Sequence, residues 1–234
     1  MQTEPNVEVT SASRLGRLTA RPHLPSESGS FGKGVHRLKP GPRGGRMLVP
    51  QSYDPERAAP LLVFLHGAGG DSQQGLDLFS RSAEELGAIL LLPESAASTW
   101  DVILDDYGPD VVSIDQALEL GFRSFSIDPR RLAVGGFADG ASYAVSLALT
   151  NGDLFTHVLA FTPGFSALRE VHGASRFFLA HGSRDAVLPV RRCSRVIVRR
   201  LEQSGYEVHY LEFNGGHAVP PEVLTAATRW FEGA

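Results

Sequence analysis

Apolar and polar positions follow two different rhythms along this chain. Leu15–Arg21 and Arg46–Pro50 are short stretches in which the two kinds take turns, the period-two signature of a strand with one wet face. Gly-, Pro- and Ser-rich sequence, Pro25–Gly34 and Pro40–Gly45, separates them, so the pair reads as an edge hairpin with a loose connection. From Pro60 the rhythm changes. Leu61–Leu65 is an unbroken apolar run, as a strand buried on both faces requires. Ile89–Leu92, Leu132–Gly135, Val158–Phe161, Phe177–Ala180 and Val208–Phe213 repeat the theme. Helical patterns fill the gaps at Gln74–Leu86, Val111–Phe122, Ala141–Thr150, Arg191–Ser204 and Pro221–Phe231. Strands alternating with helices pair in parallel through right-handed crossovers. The expectation is an α/β fold with an open, mostly parallel sheet of about eight strands and helices on both faces. No internal repeat or low-complexity tract interrupts it.

Composition narrows the class. A chain of 234 residues, 42% hydrophobic and 21% charged, has ordinary globular values and fits one domain. That domain is expected over residues 14–234, with the polar, unpatterned residues 1–13 fraying. No apolar run approaches the roughly 20 residues that span a bilayer, and Met1–Ala20 contains no apolar signal core. A cytoplasmic protein without stable membrane insertion is the expectation. The 22 basic and 26 acidic side chains give a net charge of −4, the wrong sign for a nucleic-acid partner. Cys193 stands alone, so neither a disulfide nor a cysteine-based zinc site can form, and it reads as a packed thiol. Glycine is in excess: 25 residues, about 11% against a usual 7% or so. Nine of them, counting Gly135, fall in or directly beside four segments.

Open α/β sheets place their chemistry at the carboxyl ends of the strands. His66-Gly67-Ala68-Gly69-Gly70 follows the first buried run, and its glycines allow a sharp turn that presents N–H groups to an anion. It lacks the Lys-Ser/Thr ending of a phosphate-binding loop. Gly136-Phe137-Ala138-Asp139-Gly140 joins a strand to a helix with the G-x-S-x-G spacing of a nucleophile elbow, except that Ala138 has no oxygen. His181-Gly182-Ser183-Arg184-Asp185 and Asn214-Gly215-Gly216-His217 follow the last two strands. Each alone has a plain structural explanation: a tight turn, a helix cap, a loop histidine. Their order is specific, because Asp185 comes 47 residues after Ala138 and His217 another 32 after that, the Ser, Asp, His order of one fold.

From about Arg46 to Phe231 the chain resembles the α/β-hydrolase superfamily, and within it the small carboxylesterase/phospholipase group of esterases. The resemblance implies an ester hydrolase that needs no cofactor or metal. Position 138 would hold the nucleophile, His217 would take its proton, and Asp185 would orient His217. The N–H groups of Ala68 and Asp139 would form the oxyanion hole. Ala138 is the departure. Alanine at a positive-φ elbow costs about 1–2 kcal/mol, which glycine avoids. A natural pseudoenzyme, kept only to bind a ligand, would drift toward Gly or Asn at 138 and blur Asp185 and His217. The intact remainder favours a serine replaced by alanine: an inactivated variant that still binds substrate.

The substrate side is less legible. Phe161 and Phe177 are only 16 residues apart, leaving no room for a large cap domain and implying an open cleft. Trp100, Phe165, Leu188 and Val219, on strand-end loops, are expected to wall an apolar pocket beside Gly67 and Gly69, with Tyr107 a weaker candidate. Small to medium acyl esters fit such a cleft; acyl-thioesters and lysophospholipids are alternatives, and a homodimer is left open. His66 and His181 read as scaffolding that hydrogen-bonds loops. Arg191, Arg195 and Arg199 read as one solvated helix face, and Asp101, Asp105, Asp106 and Asp110 as surface loop acids.

Overall fold

The structure, a computed structural model, describes residues 8–39, 41–167 and 171–233. Eight strands form one sheet in the order β1-β2-β4-β3-β5-β6-β7-β8. They are β1 (Gly34–Leu38), β2 (Gly45–Val49), β3 (Ala59–Leu65), β4 (Ile89–Pro93), β5 (Ile127–Phe137), β6 (His157–Phe161), β7 (Arg176–Gly182) and β8 (Val208–Phe213). The β1–β2 and β2–β4 pairs are antiparallel, and every pair from β4 through β3 to β8 is parallel. Seven helices are described: α1 (Ser11–Arg14), α2 (Ser72–Leu86), α3 (Asp101–Leu104), α4 (Pro109–Ser124), α5 (Asp139–Thr150), α6 (Ser194–Gln203) and α7 (Pro221–Glu232).

The apolar run of β3 shows why the sheet is covered twice. Leu61, Val63 and Leu65 enter one core with α4, α5 and α6; Leu62 and Phe64 enter a second with Phe79 of α2 and Phe231 of α7. Successive side chains on a strand point to opposite faces, so only a continuous apolar run can serve both. No described helix is long and apolar enough to cross a membrane.

The N-terminal region departs from expectation. The edge hairpin is formed by Gly34–Leu38 with Gly45–Val49, not by Leu15–Arg21. Leu15–Arg21 instead crosses over α4 and the end of α5, and side chains take the backbone donors of residues 18–20. Leu18 N–H donates to Asn151 Oδ1 at 2.9 Å, and the N–H groups of Thr19 and Ala20 each donate to Asp115 Oδ1 at 2.8 Å. Its apolar positions Leu18 and Ala20 are buried, so the alternation is real but serves a docked segment without ladder partners. Within the stretch expected to fray, residues 11–13 begin the α1 turn, closed by a Thr10–Ser13 capping box. Residues 1–7 lie outside the described residues. The last predicted helix but one starts three residues late, at Ser194, because residues 190–193 turn over Pro189. Between β6 and β7, the described part of residues 162–175 contains no helix.

Candidate active site

At the end of β5 the chain reverses directly into α5, with Ala138 between them at φ 52° and ψ −113°. Strand and helix approach so closely that a Cβ on Gly140 would lie 2.1 Å from the Leu65 carbonyl oxygen, and one on Gly136 would lie 2.4 Å from Gly140. Only glycine fits either position. Ala138 is pinned from both sides. Its N–H donates to Phe161 O at 2.9 Å, and Ser142 donates to its carbonyl from both N–H (3.0 Å) and Oγ (3.1 Å).

Asp185, buried after β7, is saturated with donors. Its Oδ1 accepts the N–H groups of Val187 (2.9 Å) and Leu188 (2.8 Å), and its Oδ2 accepts His217 Nδ1–H at 2.7 Å. His181 Nε2 lies 3.3 Å from the same Oδ2. Burial works to raise this carboxyl, but the Leu188 N–H and His217 together outweigh it, and Asp185 sits below its ordinary range. With Nδ1 engaged, His217 keeps Nε2 for a reacting proton. Its ring packs 4.9 Å from that of Phe137, the residue before Ala138.

The first loop comes up on the other side. A Cβ built on Gly67 would fall 3.6 Å from that of Ala138. Gly69 N–H donates to Ser98 O and Gly70 N–H to Gly67 O, whereas Ala68 N–H has no acceptor among the described residues. Asp139 N–H, at the start of α5, has none either. Two unpaired amides thus flank a strained residue beside a carboxylate–imidazole pair. No group of three or more His, Cys, Asp or Glu among the described residues is placed to hold a metal ion.

No family model matches this chain. It is similar to an acetylxylan esterase of Coprinopsis cinerea, 30% identical over 120 residues. That match covers 47% of this chain and 32% of the esterase, so the chain spans about a third of the length of that curated relative. Among solved structures, esterase PE8 superposes with a TM-score of 0.64 at 20% identity, covering 84% of this chain and 99% of PE8. The S-formylglutathione hydrolase FrmB from Staphylococcus aureus gives 0.66 at 14% identity, covering 86% and 98%. Likeness over nearly whole chains at such identities fixes the architecture.

The chain has the α/β-hydrolase fold.

Within this hydrolase fold the expected pocket residues part company. Phe165 is exposed, and Leu188 and Val219 are half-buried. A Cβ on Gly164 would lie 3.2 Å from Leu188, so the loops bearing Phe165 and Leu188 touch. Trp100 is a correction. It is wholly buried and offers no pocket wall, because its indole N–H donates to His66 O at 2.9 Å and its ring packs on His66 and Tyr143. Tyr107 is also buried. His66 and His181 bridge loops: His66 Nε2 accepts Ser95 N–H, and His181 contacts Ser194 Oγ and Leu188 O. Arg195 is not merely solvated but pairs with Glu212 at 2.7 Å.

Asp101 and Asp110 are a second correction, since they turn inward. Asp110 is 1% exposed and accepts Ala96 N–H (2.7 Å) and Asp101 N–H (2.8 Å). Burial, then the neighbouring Asp101 charge, push its carboxyl up to about 7. Thr99, buried beside them, donates its hydroxyl to Asp139 Oδ2 at 2.7 Å. No spacing motif marks Thr99 or Asp110. The only signal is a Trp-Asp pair followed by Gly-Pro-Asp, typical of many loops.

Proposed function

We propose that this chain is a serine carboxylic-ester hydrolase for small to medium acyl esters, carrying alanine where the nucleophilic serine belongs. The observation that carries this reading is the 2.7 Å Asp185–His217 hydrogen bond set beside a positive-φ elbow. A surface loop has no need of strain at 138, a buried acceptor for His217 and two unpaired amides at one place.

With serine at 138, Oγ would attack the ester carbonyl carbon while His217 Nε2 takes the hydroxyl proton. Asp185 would hold the imidazole in the Nδ1–H tautomer and stabilise the imidazolium. The oxyanion would lie against the N–H groups of Ala68 and Asp139, each donor worth roughly 3–4 kcal/mol. His217 would then return the proton to the leaving alkoxide, and water would repeat the sequence on the acyl-enzyme. Without the serine oxygen, turnover falls on the order of a million-fold while the cleft remains. Phe165 and Leu188 supply an apolar wall for the acyl or alcohol part. The acetyl ester in the name of the Coprinopsis cinerea relative favours short acyl groups.

The test is Ala138→Ser, assayed on p-nitrophenyl esters of increasing acyl length beside a lysophospholipid and an acyl-thioester. Hydrolysis that appears with the serine and is best on short esters is expected. Activity no higher than that of the Ala138 chain would overturn the reading and leave a ligand-binding cleft.

A further inference from the structure

Three consecutive residues on the loop after β4 each reach across to the candidate site. Ser98 O accepts Gly69 N–H at 2.7 Å, holding the first loop next to Ala68. Thr99 Oγ1–H donates to Asp139 Oδ2 at 2.7 Å, holding the first residue of α5. Trp100 Nε1–H donates to His66 O at 2.9 Å, returning to the first loop. One short segment therefore grips both sides of the gap between the two unpaired amides. Its own ends are gathered by a single carboxylate, since the two oxygens of Asp110 accept the N–H groups of Ala96 and Asp101. Arg43 steadies the middle by donating to Ala97 O at 3.2 Å.

We propose that residues 98–100 are a positioning strap that sets the separation of the Ala68 and Asp139 N–H groups, with Thr99 its positioning residue. This rests on the esterase reading for its catalytic consequence, though not for its geometry. An oxyanion hole works only if both donors are fixed before charge develops, and a misplacement of about 1 Å is enough to lose much of the rate. The β3–β5 ladder runs up to Leu65 and Gly136, and beyond it no hydrogen bond among the described residues joins residues 66–70 directly to residues 137–140. The Thr99–Asp139 bond couples them through the strap, and it also fixes the Asp139 carboxylate. Thr99 is 7% exposed, so water does not readily substitute for its hydroxyl.

The decisive comparison is Thr99→Val, which keeps shape and loses the hydroxyl, against Thr99→Ser, which keeps the hydroxyl. In an Ala138→Ser background, Thr99→Val should lower kcat about tenfold with KM within about twofold, while Thr99→Ser stays near the parent. A packing role alone would spare Thr99→Val, which keeps the shape, and penalise Thr99→Ser, which loses the methyl. In the chain as it stands, amide NMR gives a readout that needs no turnover. Thr99→Val should shift the Asp139 and Ala68 amide signals and speed their exchange, and Thr99→Ser should not. Unmoved amides, a kcat within about twofold of the parent for Thr99→Val, or equal losses in both variants would overturn the strap. If Ala138→Ser is inactive, the esterase reading fails, and the amide signals still decide the strap.

Discussion

Asp110→Asn should change how stability depends on pH. Asp110 titrates near 7 in the fold, raised by burial and then by Asp101, against the N–H groups of Ala96 and Asp101 and the Arg43 charge. Its ordinary value is 3.8, so the shift is about 3 units, at most about 4 kcal/mol at 1.36 kcal/mol per unit. The sign follows from proton counting. Between pH 3.8 and about 7 the folded chain keeps a proton that the unfolded chain has lost, so this group's contribution falls as pH rises through that window. Asparagine has no proton to lose. It does turn an amide NH2 toward an N–H that the carboxylate accepted, a penalty of about 1–3 kcal/mol at every pH. The variant should therefore be less stable than the parent near pH 5 and equal or better near pH 8.5. Urea unfolding followed by tryptophan fluorescence across that range measures the difference at each pH. A difference that changes by less than about 1 kcal/mol between the two ends would refute the reasoning.

Three further outcomes are expected. Ala138→Gly should stabilise the fold by up to about 1 kcal/mol, because relief of φ 52° outweighs the extra freedom of unfolded glycine; a lower melting temperature would contradict the strain. In an Ala138→Ser background, Asp185→Asn should lower kcat roughly 10⁴-fold through loss of the correct His217 tautomer, read from steady-state ester hydrolysis. Asp185 lies below its ordinary range, so its pairing with His217 contributes fully above about pH 4 and is lost only as pH falls through the lower folded value. Cys193 is 7% exposed with its thiol pushed up by burial, so it should react with a disulfide reagent far more slowly in the folded chain than in denaturant.

The parallel part of the sheet was plain in the sequence because buried strands must be apolar on both faces, and Leu61–Leu65 and its counterparts have no other use. The proposed triad positions stand out in the sequence as an order along the chain, since each follows a strand. Legibility fails where side chains replace the backbone as partner. Leu15–Arg21 alternates like a strand, yet Asp115 and Asn151 satisfy it, and neither residue advertises that 95 or more positions away. Trp100 follows a strand end like a pocket residue, but its indole N–H found the His66 carbonyl beneath the loop. Thr99 and Asp110 are ordinary polar loop residues until the fold folds them inward.

The docked N-terminal stretch also sets an order of events. Arg17 bridges to Thr150 and Asp153, and Leu18 binds Asn151, across separations of 133 to 136 residues. On a growing chain, Arg17–Arg21 is synthesised well before any of these partners. Its partners in α4 and at the end of α5 follow only later in the sequence. The stretch made earlier is seated later. It is a latch across α4 and the end of α5, closed only when both are in place.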